Sequence, residues 1–224
     1  MAIEVGSSGV LNFLRTGSYA IVTDPPFTVS CWAMWNSDFS TNAQSLFTLS
    51  QNGANPAHWY NINAQFQTNN KLRFDCSAAN GAHEAISSSD IVVNEWFHVA
   101  AVVYAVDNRA LFFNYTDKTT NTDSISPSGV NFTTIGAMRT NAYGWNWEGL
   151  LANLAVWDVA LDDEEIKSLA NGINPIKIRR DNLLKYYPLG GNNFSKGILD
   201  GELLAVEGTS VLARGSRPIL GGPI

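Results

Sequence analysis

Between Phe27 and Trp35 the chain reads Phe-Thr-Val-Ser-Cys-Trp-Ala-Met-Trp, nine residues without a charge, a glycine or a proline. Alternate side chains of an extended strand point to opposite faces. Phe27, Val29, Cys31, Ala33 and Trp35 therefore share one face, and Thr28, Ser30, Trp32 and Met34 share the other. A strand this apolar on both faces needs protein above and below it, which makes it central in a layered fold. Trp32 is then either core or part of an open face that serves a ligand. Strand-like runs recur at 9–14, 19–22, 45–50, 58–66, 71–76, 95–104, 110–115, 132–137 and 150–157. Turn residues separate them, among them Gln51-Asn52-Gly53, Thr68-Asn69-Asn70 and Asp107-Asn108. The pattern predicts an all-β fold, a two-sheet antiparallel sandwich or jelly roll.

One segment breaks the alternation. Residues 161–172 read as a short helix near 162–171, with Asp162 as N-cap and Glu165 completing a capping box. Ile166, Leu169 and Ala170 form its apolar face, Gly172 ends it, and Pro175 prevents its resumption. The acidic run Asp162-Asp163-Glu164-Glu165 is then explained by the positive end of the helix dipole, without a metal or a reaction.

The 224 residues, 45% hydrophobic and only 15% charged, suffice for one domain with a sizeable core. The net charge of −6 argues against a nucleic-acid partner, which needs clustered cations. No window of 18 apolar residues offers a membrane span, and no secretory signal opens the chain, so synthesis in a cytoplasm is expected. Charge divides unevenly: residues 1–175 carry 7 Lys and Arg against 16 Asp and Glu, residues 176–224 carry 7 against 4. The expected division is a domain at 1–175 and a basic extension at 176–224 that packs on it or on a neighbouring subunit. Cys31 and Cys76 are expected as buried, unpaired thiols, and His98, inside an apolar run, as a structural histidine.

The segments Phe27–Trp35, Glu95–Tyr104, Thr134–Ala137 and Trp147–Leu169 together resemble the laminin-G-like, concanavalin A-like jelly roll, over about residues 8–173. The resemblance implies two antiparallel sheets and hosts lectins, adhesion modules, glycosidases and viral structural proteins, so it names no ligand. The stretch Ile178-Arg179-Arg180-Asp181-Asn182-Leu183-Leu184-Lys185-Tyr186-Tyr187-Pro188-Leu189 is similar to a linker that follows this jelly roll in phage and prophage proteins. Arg180 stands where that linker has proline and Tyr187 where it has tryptophan. The last ten residues hold two prolines and three glycines and exclude a helix. The extension then reads as an arm, with Arg179, Arg180, Arg214, Arg217, Ile219 and Leu220 as candidate partner contacts.

Catalysis is not expected. Glycosidases on this fold carry paired carboxylates flanking the scissile bond, in retaining members as E-x-D-x-x-E on one strand, and the chain has no such run. No cofactor is implied. Calcium stays open, because Asp24, Asp38 and Asp123 are isolated in sequence and do not assemble a site by spacing. Two aromatic and amide-rich loops carry sugar-binding chemistry: Asn55–Asn61, with Trp59 and Tyr60, and Arg139–Trp147, with Asn141, Tyr143 and Trp145. For the second loop the competing explanation is packing, with Trp147 in the core and Trp145 over a sheet edge. The main expectation is a non-enzymatic virion structural or decoration protein that binds other virion subunits or itself. The alternative is a carbohydrate-binding module for surface glycans.

Overall fold

A computed structural model describes residues 2–5, 13–17, 19–36, 43–53, 58–65, 70–78, 81–139, 143–189, 196–201, 204–207 and 214–215. The strands run β1 (Ala2–Val5), β2 (Phe13–Arg15), β3 (Phe27–Trp35), β4 (Ala43–Ser50), β5 (Trp59–Gln65), β6 (Lys71–Ala78), β7 (Gly81–Asp90) and β8 (Trp96–Ala105). They continue with β9 (Asn108–Phe113), β10 (Asp117–Asn121), β11 (Phe132–Ile135), β12 (Met138–Arg139), β13 (Tyr143–Gly144) and β14 (Gly149–Trp157). After helix α1 (Asp163–Ala170) come β15 (Leu183–Tyr187), β16 (Ala205–Glu207) and β17 (Arg214–Gly215). The first sheet has the order β10-β9-β8-β3-β14-β1-β17, with β15 also on β14. The second has the order β16-β2-β11-β4-β5-β6-β7. The expected all-β jelly-roll sandwich is therefore the observed fold.

The alternation in β3 is realised as read. Phe27, Val29, Cys31, Ala33 and Trp35 enter the core shared by the two sheets, with Phe47, Tyr60, Phe74, Trp147 and Tyr187. Trp32 lies on the other face and is half-buried beside Met34, Trp96, Leu150 and Ala152. Both cysteines are buried and unpaired, and burial pushes each thiol up to about 12. Two expectations need correction. Residues 19–22 form no strand; Ile21 N instead donates to Thr133 Oγ1 at 3.0 Å. The strands β7 and β10 were not anticipated, because Ser87-Ser88-Ser89-Asp90 and Asp117-Lys118-Thr119-Thr120-Asn121 are polar on both faces.

β14 organises the first sheet. One side pairs with β3 along its length, and the other is shared by two strands, β1 on Gly149–Leu151 and β15 on Leu154–Trp157. Asn153, at φ +53, marks the irregularity between the two halves, and Tyr186 Oη donates to its Oδ1 at 3.0 Å. Helix α1 carries the expected capping box, Asp162 and Glu165 each accepting from the other's backbone N–H at 2.9 Å. The helix covers one half of the sheet's outer face. Leu161, Ile166 and Leu169 pack there with Ala100, Val102, Ala110, Phe112, Ala155 and Trp157.

Gly149 sits where β14 leaves Trp147. A Cβ at this position would lie 2.0 Å from Met34 O and 2.9 Å from Trp147 Nε1. Met34 O is backbone in the adjacent strand and cannot rotate away. Gly149→Ala is therefore expected to destabilise by about 3 kcal/mol or more, the upper end for overpacking, seen as a lower urea midpoint with unchanged slope. An unchanged midpoint would show that β3 and β14 separate freely there.

Candidate functional site

The second sheet turns an unusually polar face outward. In β5, Tyr60, Ile62 and Ala64 enter the core, so Trp59, Asn61 and Asn63 face out. In β6, Leu72, Phe74 and Cys76 enter the core, so Lys71, Arg73, Asp75 and Ser77 face out. The register arranges these residues in rows. Ser50, Trp59 and Ser77 form one row; Thr134, Thr48, Asn61, Asp75 and Glu84 form the next; Asn63, Arg73 and Ile86 form the third. Neighbouring strands are about 4.8 Å apart and successive outward rows about 6.7 Å apart, so the grid is of sugar-ring dimensions.

Hydrogen bonds knit the grid diagonally and across. Asn63 Nδ2 donates to Asp75 Oδ2 at 2.6 Å, Arg73 Nη1 to Glu84 Oε2 at 2.5 Å, and Thr48 Oγ1 to Asn61 Oδ1 at 3.0 Å. The floor is nearly closed to solvent, with Asn61, Asn63, Asp75 and Ser77 all buried. Trp59, Arg73 and Glu84 are half-buried around it. Several buried polar atoms of this face have no hydrogen-bond partner: Asp75 Oδ1, Arg73 Nε, Trp59 Nε1 and Ser50 Oγ. Such atoms are costly to leave unmade, at roughly 1–3 kcal/mol each. Burial, and then the neighbouring Glu84 carboxylate, push the Asp75 carboxyl up to about 7, against the opposing pull of Asn63 and Arg73.

The β12–β13 hairpin lies over the β4 and β11 side of this face. Ala137 O accepts from Thr134 Oγ1 at 2.6 Å and Thr48 Oγ1 at 3.3 Å, and Trp145 O accepts from Ser45 N at 2.6 Å. The two loops read as sugar-binding thus meet the same strand, but at opposite ends. Trp59 pairs with Ser50 and Trp145 bonds Ser45, about 17 Å apart along β4. Trp145 is 39% exposed at φ +52, whereas Trp147 is fully buried in the core. Asn141 lies outside the described residues, and of Tyr143 the backbone alone is described.

Tyr60 is a correction. It is 2% exposed and meets Phe27 edge-on at 5.1 Å and Phe74 stacked at 6.5 Å. Adjacent residues of one strand face opposite ways, so Trp59 and Tyr60 cannot both meet a ligand. Sequence reasoning missed Asn63, Arg73, Asp75, Ser77 and Glu84. The signal for the first four was present as polar residues at alternate positions of 59–65 and 71–77; Glu84 lies in β7, which gave none.

The basic extension is largely tied to its own domain where it is described. Arg179, at φ +42, bonds Glu165 and lies 3.9 Å from Asp162, with its side chain 47% exposed. Lys185 pairs with Asp200 within the extension itself. Tyr187, Leu189 and Leu204 enter the main core. Arg180 is exposed, Arg214 is described by backbone alone in β17 against β1, and Arg217, Ile219 and Leu220 lie outside the described residues. Asp123 bonds His83 and Asn121, and Asp24 bonds Thr23. Among the described residues no three His, Cys, Asp or Glu side chains converge as a metal site would require.

Solved structures share this architecture. The heptameric SAP-like pentraxin of Limulus polyphemus has a TM-score of 0.65 at 17% identity, over 95% of this chain and 94% of that one. Domain 4 of AbnA, an extracellular arabinanase of Geobacillus stearothermophilus solved with arabinotriose, has a TM-score of 0.58 at 18% identity, over 75% and 81%. The CBM40 of Ruminococcus gnavus IT-sialidase, solved with α2,3-sialyllactose, has a TM-score of 0.59 at 15% identity, over 75% and 96%. At these identities the likeness is one of fold. No curated protein matches the chain in sequence. The family profile described as concanavalin A-like lectin/glucanases superfamily matches residues 9–167, the span that supplies β2–β14 and most of the helix. With that match over more than half its length, the chain belongs to the concanavalin A-like lectin/glucanase superfamily.

Proposed function

We propose that this chain is a non-catalytic carbohydrate-binding module whose ligand lies over the outer face of β5–β7. One observation carries the reading. A half-buried tryptophan, Trp59, adjoins a floor of amides, an arginine and a carboxyl that retains unpartnered donors and acceptors. An aromatic ring offers an apolar plane to a pyranose, and the orphaned atoms match the mixed donor and acceptor character of sugar hydroxyls. Two of the proteins that share the fold were solved with oligosaccharides, which supports the reading without fixing a ligand.

A glycan array on the full chain, followed by calorimetric titration of its strongest hits, tests this. Trp59→Ala is expected to weaken binding by roughly tenfold to a hundredfold with an unchanged circular dichroism spectrum. An equal loss on Trp145→Ala with none on Trp59→Ala would move the site to the β12–β13 hairpin. The absence of any glycan hit would sink the reading.

The virion-decoration reading keeps one specific support, the likeness of residues 178–189 to a phage linker, together with the positive excess after residue 176. Attachment through other virion subunits would then fall to Arg180 and to the residues beyond 207. The internal pairing of Arg179 and Lys185 makes it the second choice.

A further inference from the structure

The ligand class can be narrowed from the charges on the same face, an inference that rests on the glycan-binding reading. Asp75 and Glu84 stand directly opposite one another in the register of β6 and β7, on the outward side. The cation beside them, Arg73, donates to Glu84, which leaves Asp75 as the carboxyl of this row with no cation bonded to it. Asp75 is 6% exposed, and its Oδ1 is buried without a partner while Oδ2 accepts from Asn63. Arg73 Nε and Trp59 Nε1 are donors, which a sugar hydroxyl satisfies as well as a sugar carboxylate does. Asp75 Oδ1 discriminates. A hydroxyl or an ammonium can donate to it, whereas above about pH 7, where Asp75 is ionised, a carboxylate can only repel it.

We propose that this face takes uncharged or amino-bearing glycans and rejects carboxylate-bearing ones, with Asp75 as the specificity-determining residue and Glu84 as the group that removes Arg73 from play. An acidic sugar would otherwise find in Arg73 a forked partner suited to its carboxylate. The bond to Glu84 occupies Nη1 and offsets the cation's charge, which weakens that option.

Titration of the full chain at pH 8 with neutral arabino- and cello-oligosaccharides, chitosan oligomers, α2,3-sialyllactose and oligogalacturonate decides the matter. The expected result is binding of a neutral or amino-bearing member, with the acidic members weaker by about tenfold or more. Asp75→Asn, which keeps the shape and removes the charge, should narrow that gap to within about threefold, and Glu84→Gln, which frees Arg73, should narrow it independently. Acidic sugars that bind the unaltered protein as tightly as neutral ones would overturn the selectivity while leaving glycan binding standing. A gap unchanged in both variants would likewise overturn the role of the two carboxyls. A panel in which no sugar binds would remove the glycan-binding reading and this inference together.

Discussion

Trp157→Ala should destabilise the protein by about 3–5 kcal/mol and lower its melting temperature by roughly 10 °C, the largest single effect expected on the first sheet. Trp157 is fully buried at the end of β14, under α1. It shares one buried cluster with Leu161, Ile166, Leu169, Leu183 and Tyr186, and its Nε1 donates to Ile178 O at 2.9 Å. One side chain therefore holds the helix, the turn at Pro175–Lys177 and β15 against the same sheet. Trp157→Phe keeps most of the packing and removes the donor, so about 1–2 kcal/mol is expected. The informative readout is limited proteolysis beside urea unfolding. If residues 176–189 belong to the cooperative unit, Trp157→Ala unfolds in one transition at lower urea, and cleavage after Lys177 rises in step with it. Early cleavage with an unshifted main transition would make the segment a detachable strap.

That prediction concerns the part of the chain that the sequence described least well. Leu183-Leu184-Lys185-Tyr186-Tyr187 resembled a linker, and nothing local says that it adds a strand beside Leu154–Trp157. The pairing is long-range and depends on Asn153 ending the β1 contact and leaving that edge of β14 open. Features written in local chemistry were legible. The nine-residue alternation of β3 and the Asp162–Glu165 capping box appear as read. β7 was hidden because its serines satisfy neither face of an amphipathic strand, and the outward pairing with β6 gives it its place. The candidate site was half visible. Trp59 was legible as an aromatic near amides, but Asn63, Arg73, Asp75 and Glu84 become one face only once the register of β5, β6 and β7 is known. A slip of one residue would send each of them to the core.

The second large effect should appear as a pair of opposed pH dependences. His98 is buried, bonded through Nε2 to Ser30 Oγ at 2.8 Å and set edge-on to Trp32 at 5.5 Å, and its Nδ1 has no partner. Burial holds its pKa down to about 3, against an ordinary 6.5. The unfolded chain takes up this proton first as pH falls. His98 therefore contributes stability that is present above pH 6.5 and lost progressively towards pH 3. Asp75 runs the other way. Its carboxyl is raised to about 7 from 3.8, so the unfolded chain releases the proton first, and stability is lost as pH rises from about 4 to 7. Over the shared window the two slopes, each at most about 1.4 kcal/mol per pH unit, should nearly cancel and hide one another. Single variants expose them. Asp75→Asn should gain stability relative to the parent with rising pH, reaching a few kcal/mol by pH 8, and His98→Gln should gain relative to the parent with falling pH. Asp117 and Asp123, whose carboxyls are held below the ordinary value, act beneath this window and are common to all three proteins. Urea unfolding at intervals from pH 4 to pH 8 measures the differences, and curves that stay parallel for Asp75→Asn and the parent would remove the buried-carboxyl argument. A gain of stability in Asp75→Asn would mean that the carboxyl weakens the fold at neutral pH, which packing does not explain. Its presence beside Trp59 makes sense if something outside the chain completes its hydrogen bonds.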